Sequence, residues 1–284
     1  MPELPDVTVY VEALERRIIG ATLLRVEVVN PFFLRSVEPS LESVRGAKCV
    51  AVRRLGKRIV IDLSGTYLVI HLMIAGRLHW NGKRKPLARF VFDTGTLSLT
   101  EAGSKRRASL YVARELKEHD RGGMEVLEAS LKEFSERIRR ENHTVKRALA
   151  DPTLFSGIGN AYSDEILHRA RMSPMLLTQK MSDEQVKRLY TATRASLLEW
   201  TDRLRKEAGE GFPEKVTAFR PEMAVHGKYG QPCPVCGTPV QRIRYADNET
   251  NYCARCQTDG KLLRDRALSR LLHDDWPKSI DELL

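Results

Sequence analysis

The sequence predicts an α+β protein: an antiparallel β-sandwich entered through a single helix, then a helical domain, then a small cysteine-bearing hairpin. Three observations predict it. Short runs that alternate apolar and polar residues, separated by turn residues, fill the chain from Thr22 to about Val112, as half-buried strands do. Beyond about Gly123 the apolar residues recur at helical spacing instead. Four of the five cysteines, Cys233, Cys236, Cys253 and Cys256, then crowd into one window, C-x2-C-x16-C-x2-C. With 284 residues and 42% hydrophobic content the chain suits two modest domains with a sizeable core, which excludes an intrinsically disordered protein.

The elements follow in order. Pro5 suits the first turn of a helix, Val7, Val11, Leu14 and Ile18 form its apolar face, and Gly20 can end it. Arg25–Val28, Arg58–Leu63, Tyr67–Leu72, Ala88–Phe92 and Thr96–Thr100 are the clearest of seven or eight short strands, enough for a two-layered sandwich. Helices are predicted at Leu131–Glu141, Thr144–Ala150, Asn160–Arg171 and Ser182–Ala208. The last opens on a capping box, Ser182 to Gln185, and turns Val186, Leu189, Tyr190, Leu197, Trp200 and Leu204 inward, with Thr193 as the one polar member of the stripe. Leu262, Leu263, Ala267, Leu268 and Leu271, interleaved with arginines, predict a short amphipathic helix near the C-terminus. The predicted domains are 1–122, 123–226 and 227–259, followed by a tail at 260–284.

The cysteine spacing fits a closed tetrahedral zinc site, which would force the window into a hairpin. Two adjacent disulfides are the alternative, disfavoured in a reducing compartment. Cys49 stands apart as a buried structural thiol. No signal peptide and no apolar run of about 18 residues is visible, so a soluble cytoplasmic protein away from membranes is expected. A formal net charge of +10 favours an anionic partner, nucleic acid first.

The first residues, Met1-Pro2-Glu3-Leu4-Pro5-Asp6, carry the most chemistry. Methionine before proline is normally trimmed, leaving a secondary amine at Pro2. An α-amino group has a pKa of about 7.7–8.0, so roughly one in six to ten is unprotonated at neutral pH, against about one lysine in a few thousand. A neutral amine beside the Glu3 carboxylate is the layout for Schiff-base chemistry, with the amine as nucleophile and the carboxylate as proton carrier; a frayed terminus is the plainer reading. Phe155–Tyr162 is a glycine-rich link between helices, where Asn160 opens a helix whose free N–H groups suit a phosphate. An ordinary helix connection would look the same.

Taken together, Pro2-Glu-Leu-Pro, Gly56-Lys57, His71-Leu-x-x-x-Gly76-Arg77-Leu, Gly157-Ile-Gly-Asn-x-Tyr-x-Asp-Glu-Ile-Leu and the four cysteines resemble the formamidopyrimidine-DNA glycosylase / endonuclease VIII family. The resemblance runs from residue 2 to about 257. It implies a β-sandwich, a helix–two-turn–helix domain and a zinc finger around DNA, with one structural zinc ion. It also implies excision of a damaged base through a Schiff base, then strand cleavage by β,δ-elimination. Pro2 would be the nucleophile, Glu3 the proton carrier and Lys57 a DNA contact beside the site. His71, Asn160 and Lys146 match phosphate-binding positions, although a strand-end histidine is often a hydrogen-bonded core residue.

The departures from that pattern are specific. Asp6 and Thr8 stand where the family usually has glutamates. Of the three side chains that fill the gap left by an extruded base, the methionine position falls on Ile74 and the Arg-Phe pair on Arg107-Ala108. The hairpin arginine falls on Asn248, with Arg242, Arg244 or Arg255 as substitutes, and the Gly211–Val225 segment lacks the loop that covers oxidised guanine. A repair glycosylase with lyase activity, working as a monomer on damaged DNA at the nucleoid, is expected, with 8-oxoguanine a poor substrate. A non-catalytic damage-binding protein on the same scaffold is the alternative.

Overall fold

The computed structural model describes residues 1–82, 84–102, 106–214, 216–217, 219–245, 248–265 and 277–283. Lys105 of the loop before Arg107, and Ala267, Leu268 and Leu271 of the expected tail helix, lie outside them. Leu262 and Leu263 sit in non-helical chain.

The chain divides into two compact units, residues 1–121 with 199–218, and residues 122–198 with 219–284. The first is the sandwich. Helix α1 (Leu4–Ile18) leads into β1 (Leu23–Val28), β2 (Ala51–Leu55), β3 (Arg58–Leu63), β4 (Thr66–His71), β5 (Gly76–Trp80), β6 (Ala88–Phe92), β7 (Gly95–Glu101) and β8 (Ser109–Ala113). These form two antiparallel four-stranded sheets, ordered β1-β6-β7-β5 and β2-β3-β4-β8. Alternate residues of both sheets, including Leu23, Ile59, Ile61, Leu68, Ile70, Phe90 and Leu99, face one buried core, and Val7, Tyr10, Leu14 and Ile18 of α1 complete it. Such period-2 burial is what the alternating runs encode.

In the second unit, α2 (Leu131–Arg139), α3 (Val145–Ala150), α4 (Asn160–Arg169) and the first part of α5 (Asp183–Ala208) precede a hairpin of β9 (Gln241–Tyr245) and β10 (Asn248–Tyr252) and the short α6 (Ala254–Thr258). The expected Ser182 box forms: the Ser182 N–H donates to Gln185 at 2.9 Å and Gln185 N–H returns to Ser182 Oγ at 3.2 Å. Thr193 is tolerated inside because its hydroxyl donates to the Leu189 carbonyl at 2.8 Å.

Glu199–Ala218 groups with the sandwich, so the span predicted as 123–226 is divided between the two units. Long-range partners that no local pattern announces hold this segment there. Arg205 grips the Glu12 carboxylate from Nε and Nη2 at 2.7–3.1 Å. The Phe212 ring packs tilted against Tyr10, centroids 5.7 Å apart, and Val216 enters the sandwich core.

Candidate functional site

In the first unit the chemistry gathers at the start of α1. Glu3 is its N-cap and Pro5 lies in its first turn, where a missing N–H costs nothing. The Asp6 carboxylate accepts the Glu3 N–H at 2.9 Å, so the shorter acid at position 6 still closes a capping box. Glu3 and Asp6 are 2% and 0% exposed and Pro2 is buried. The amine of Met1 is held below the ordinary range of an α-amino group. Burial is the main cause; Glu3 and Asp6 oppose it, and Arg77 and Lys57 reinforce it. Terminus, Glu3, Lys57 and Arg77 therefore share one electrostatic neighbourhood. In the sequence Arg77 is only a letter of a motif; its effect on the terminus comes from the fold.

Lys57 projects from the two-residue β2–β3 turn, where Gly56 takes a φ of 62°, the positive φ that primed hairpin turns require of their first residue. His71 ends β4, flanked across the sheet by Arg58 and Ser109, with Nδ1 beside the Met73 sulfur. Burial first, then the charges of Arg58 and Lys57, push its pKa down to about 4. It is neutral at physiological pH, so it can meet a phosphate as a hydrogen-bond donor but adds no charge. Gly76 is required by the turn before it: a Cβ there would lie 2.2 Å from the Leu72 carbonyl oxygen. That turn leaves Ile74 59% exposed.

Arg107 is exposed, its N–H held by the Glu101 carboxylate at 3.0 Å. Ala108 follows it into the fold. It is 3% exposed inside the sandwich core, with its N–H donating to Glu101 at 3.1 Å. At position 108 the alanine side chain joins the sandwich core and offers no aromatic surface.

In the second unit the glycine-rich link bends at Gly157, with φ 79°, while Gly159 is the extended N-cap of α4. Asn160 Nδ2 donates to the Glu249 carbonyl of β10 at 2.8 Å, tying the link to the hairpin. Lys146 is turned inwards and is 9% exposed. Its ammonium meets Asp164 Oδ1 at 2.5 Å and the Asn160 carbonyl at 2.6 Å, because a buried cation needs acceptors. So placed, it ties the Asn160 carbonyl to Asp164. The other Asp164 oxygen meets His226 Nδ1 at 2.8 Å. Glu165 accepts the N–H groups of Ala224, Val225 and His226 at 2.8–2.9 Å. In the sequence the Asp164-Glu165 pair shows only as motif letters.

Asn248 is exposed and pairs with Tyr245 as the last described pair of the hairpin; Ala246 and Asp247 lie outside the described residues. Below it, the sulfurs of Cys233, Cys236, Cys253 and Cys256 all lie within 4.8 Å of one another and form no disulfide. The separations of 3.9 Å for Cys233–Cys256, 3.4 Å for Cys236–Cys253 and 3.5 Å for Cys236–Cys256 fit thiolates about 3.8 Å apart around a zinc bound at about 2.3 Å. His168 Nε2 lies 3.3 Å from the Cys233 sulfur and braces that ligand. Four thiolates leave no open position, so the zinc is structural.

Family models match all three segments. Residues 1–110 match the formamidopyrimidine-DNA glycosylase N-terminal domain, 124–203 its H2TH domain, and 230–258 the zinc finger found in FPG and IleRS. The formamidopyrimidine-DNA glycosylase of Solibacter usitatus is 31% identical over 269 residues, covering 90% of this chain and 99% of the relative. This chain belongs to the formamidopyrimidine-DNA glycosylase family. The enzyme of that name from Carboxydothermus hydrogenoformans is 32% identical over 268 residues, covering 90% of this chain and all of the relative. The crystal structure of the MutM (FPG) protein from Thermus thermophilus superposes with a TM-score of 0.76 at 30% identity, covering 90% of this chain and 98% of that one.

For a member of this family the finger gives a direct test. Purified protein is expected to hold one zinc per chain, and Cys236→Ser to lose it together with at least about tenfold in DNA affinity, because the hairpin loses its covalent frame. Metal analysis that finds no zinc, or thiol titration that finds disulfides, would overturn the assignment. Among the described residues no helix is long and apolar enough to cross a membrane.

Proposed function

We propose that this protein is a base-excision-repair DNA glycosylase with abasic-site lyase activity, acting on damaged DNA as a monomer in the cytoplasm, at the nucleoid. The observation that carries the reading is the buried start of α1, where Pro2 and the Glu3 carboxylate are buried side by side in the chain and the charges of Arg77 and Lys57 reach the terminus. With Met1 removed, the secondary amine of Pro2 takes that place. Its lone pair attacks C1′ of the damaged nucleotide; the bond from C1′ to the base breaks and the departing base takes up a proton. Glu3 delivers a proton to the ring oxygen, the sugar opens, and an iminium joins Pro2 to C1′. Loss of a proton from C2′ then expels the 3′ phosphate, and a second elimination expels the 5′ phosphate.

In this reading Lys57 and Arg77 meet the DNA backbone beside the amine. His71 and Asn160 contact phosphates, Lys146 positions Asn160, and Ile74 and Arg107 occupy the space vacated by the base. The division into a catalytic sandwich (1–122), a helix–two-turn–helix segment (123–226), a finger (227–259) and a tail (260–284) is the functional counterpart. Since Phe212 and Val216 are committed to the sandwich, the segment after α5 has little chain left to fold over a base. That supports a preference for formamidopyrimidines, oxidised pyrimidines or abasic sites over 8-oxoguanine, because poorly paired lesions are cheaper to extrude.

The test separates the two chemical steps. Glu3→Gln is expected to slow base removal about 10²-fold or more while slowing cleavage of a pre-formed abasic site far less, since the proton chiefly assists the first step. Equal losses on both substrates would remove Glu3 from that role.

A further inference from the structure

The chain beyond the finger is not covered by the finger model, which ends at Thr258, and its described parts, residues 259–265 and 277–283, lie against the hairpin. Leu262 and Ile280, 6% and 0% exposed, close an apolar cluster with Ile243, Tyr252 and Ala254 of the finger. The two described ends of the extension are joined to each other. The Leu262 N–H donates to the Lys278 carbonyl at 3.0 Å, and the Ile280 N–H to the Gly260 carbonyl at 2.8 Å. Both ends also hold the finger: the Leu263 N–H donates to the Tyr252 hydroxyl at 2.8 Å, and Arg255 pairs with Asp281.

The decisive contact is at Arg244. It faces Glu249 across the ladder, one step below the Tyr245–Asn248 pair. In an antiparallel ladder alternate residues point their N–H away from the partner strand, and Arg244 is one of these. That N–H donates to Asp265 Oδ2 at 2.7 Å, and Asp265 is 2% exposed. Strand β9 is therefore held on both edges, by β10 and by the extension. Of the three nearby arginines, Arg242 is engaged with Glu249 and the Tyr229 ring, and Arg255 with Asp281, whereas Arg244 is exposed. Glu249, opposite Arg244, is also the residue whose carbonyl takes the Asn160 amide. The exposed guanidinium thus shares its stretch of hairpin with the N-terminus of α4, a second donor for anions.

We infer that the C-terminal extension is a positioning element for the grip on DNA: Asp265 fixes β9 so that Arg244 presents its guanidinium to a backbone phosphate. A fixed, planar fork suits a phosphate better than a mobile one, because less side-chain and strand freedom is lost on contact. This inference rests on the DNA-binding reading above. It assigns to Arg244 a charge that Asn248 lacks, and to the extension a role in binding.

Binding of the full-length protein to a duplex carrying a tetrahydrofuran abasic-site analogue, followed by fluorescence anisotropy across a salt series, tests it. Arg244→Ala is expected to raise Kd about tenfold near 0.1 M salt and to flatten the slope of log K against log salt by about 0.9, the signature of one lost phosphate contact. Asp265→Ala should move both quantities the same way, and Asp265→Asn should restore them, since its amide oxygen accepts the same N–H. Zinc content is measured for each variant, so that a collapsed finger is recognised. Unchanged Kd and slope in Arg244→Ala, or no rescue by Asp265→Asn, overturns the inference. If the unaltered protein does not bind the duplex, the proposed function fails instead.

Discussion

Protein whose Pro2 nitrogen is locked in a peptide bond is expected to form no covalent adduct with abasic-site DNA under borohydride, while the form beginning at Pro2 is trapped. The reason is electronic. An amide nitrogen has its lone pair delocalised into the carbonyl and cannot attack C1′, whereas a terminal secondary amine, with an α-amino pKa of about 7.7–8.0, is partly neutral at pH 7 and can. Retaining Met1, or adding residues ahead of it, makes the blocked form without touching Glu3, Lys57, His71 or the finger, so binding of DNA should persist. The expected loss is the whole of the covalent route, about 10⁶-fold or more on the usual scale of enzymatic acceleration. Pro2→Gly keeps an amine and should retain some trapping. A blocked protein that traps and cleaves as well as the native one would mean that a lysine is the nucleophile. No adduct from any form would favour a damage-binding protein on this scaffold.

Asp164→Ala is expected to be the most destabilising single change in the helical unit, at about 3–5 kcal/mol. Asp164 is 1% exposed and serves both Lys146 at 2.5 Å and His226 at 2.8 Å. Removing it strands a buried ammonium, whose remaining acceptor in the fold is the Asn160 carbonyl. Replacing both partners, Lys146→Met with Asp164→Leu, should cost less, because the desolvation penalty of the pair disappears with the pair. Urea unfolding of the three proteins decides it. A loss below about 1 kcal/mol for Asp164→Ala, or a double variant less stable than the single one, would show that the ion pair does not hold this unit.

Much of this molecule is legible in residue order because the relevant physics is local. A period of 2 or 3.6 follows from backbone geometry alone, so the sandwich strands and the helices can be read directly. Four thiols at C-x2-C-x16-C-x2-C specify a zinc whatever surrounds them, and the adjacency of Pro2 and Glu3 at the terminus is plain in residue order. The strands at Ala51–Leu55, Gly76–Trp80 and Ser109–Ala113 are harder to delimit, since turns and glycines interrupt their alternation. Other outcomes needed the assembled fold. Lys146 faces inward because Asp164, eighteen residues away, offers its charge a partner. Ala108 is buried because Glu101 holds its N–H and the opposing sheet closes over it. Glu199–Ala218 joins the sandwich through Glu12 and Tyr10 at the far end of the chain. Asp265 reaches the outward N–H of Arg244, on a strand more than twenty residues earlier. In each case the side chain's identity is written in the sequence, but its partner comes from a distant segment, and only burial makes that partnership energetically compulsory.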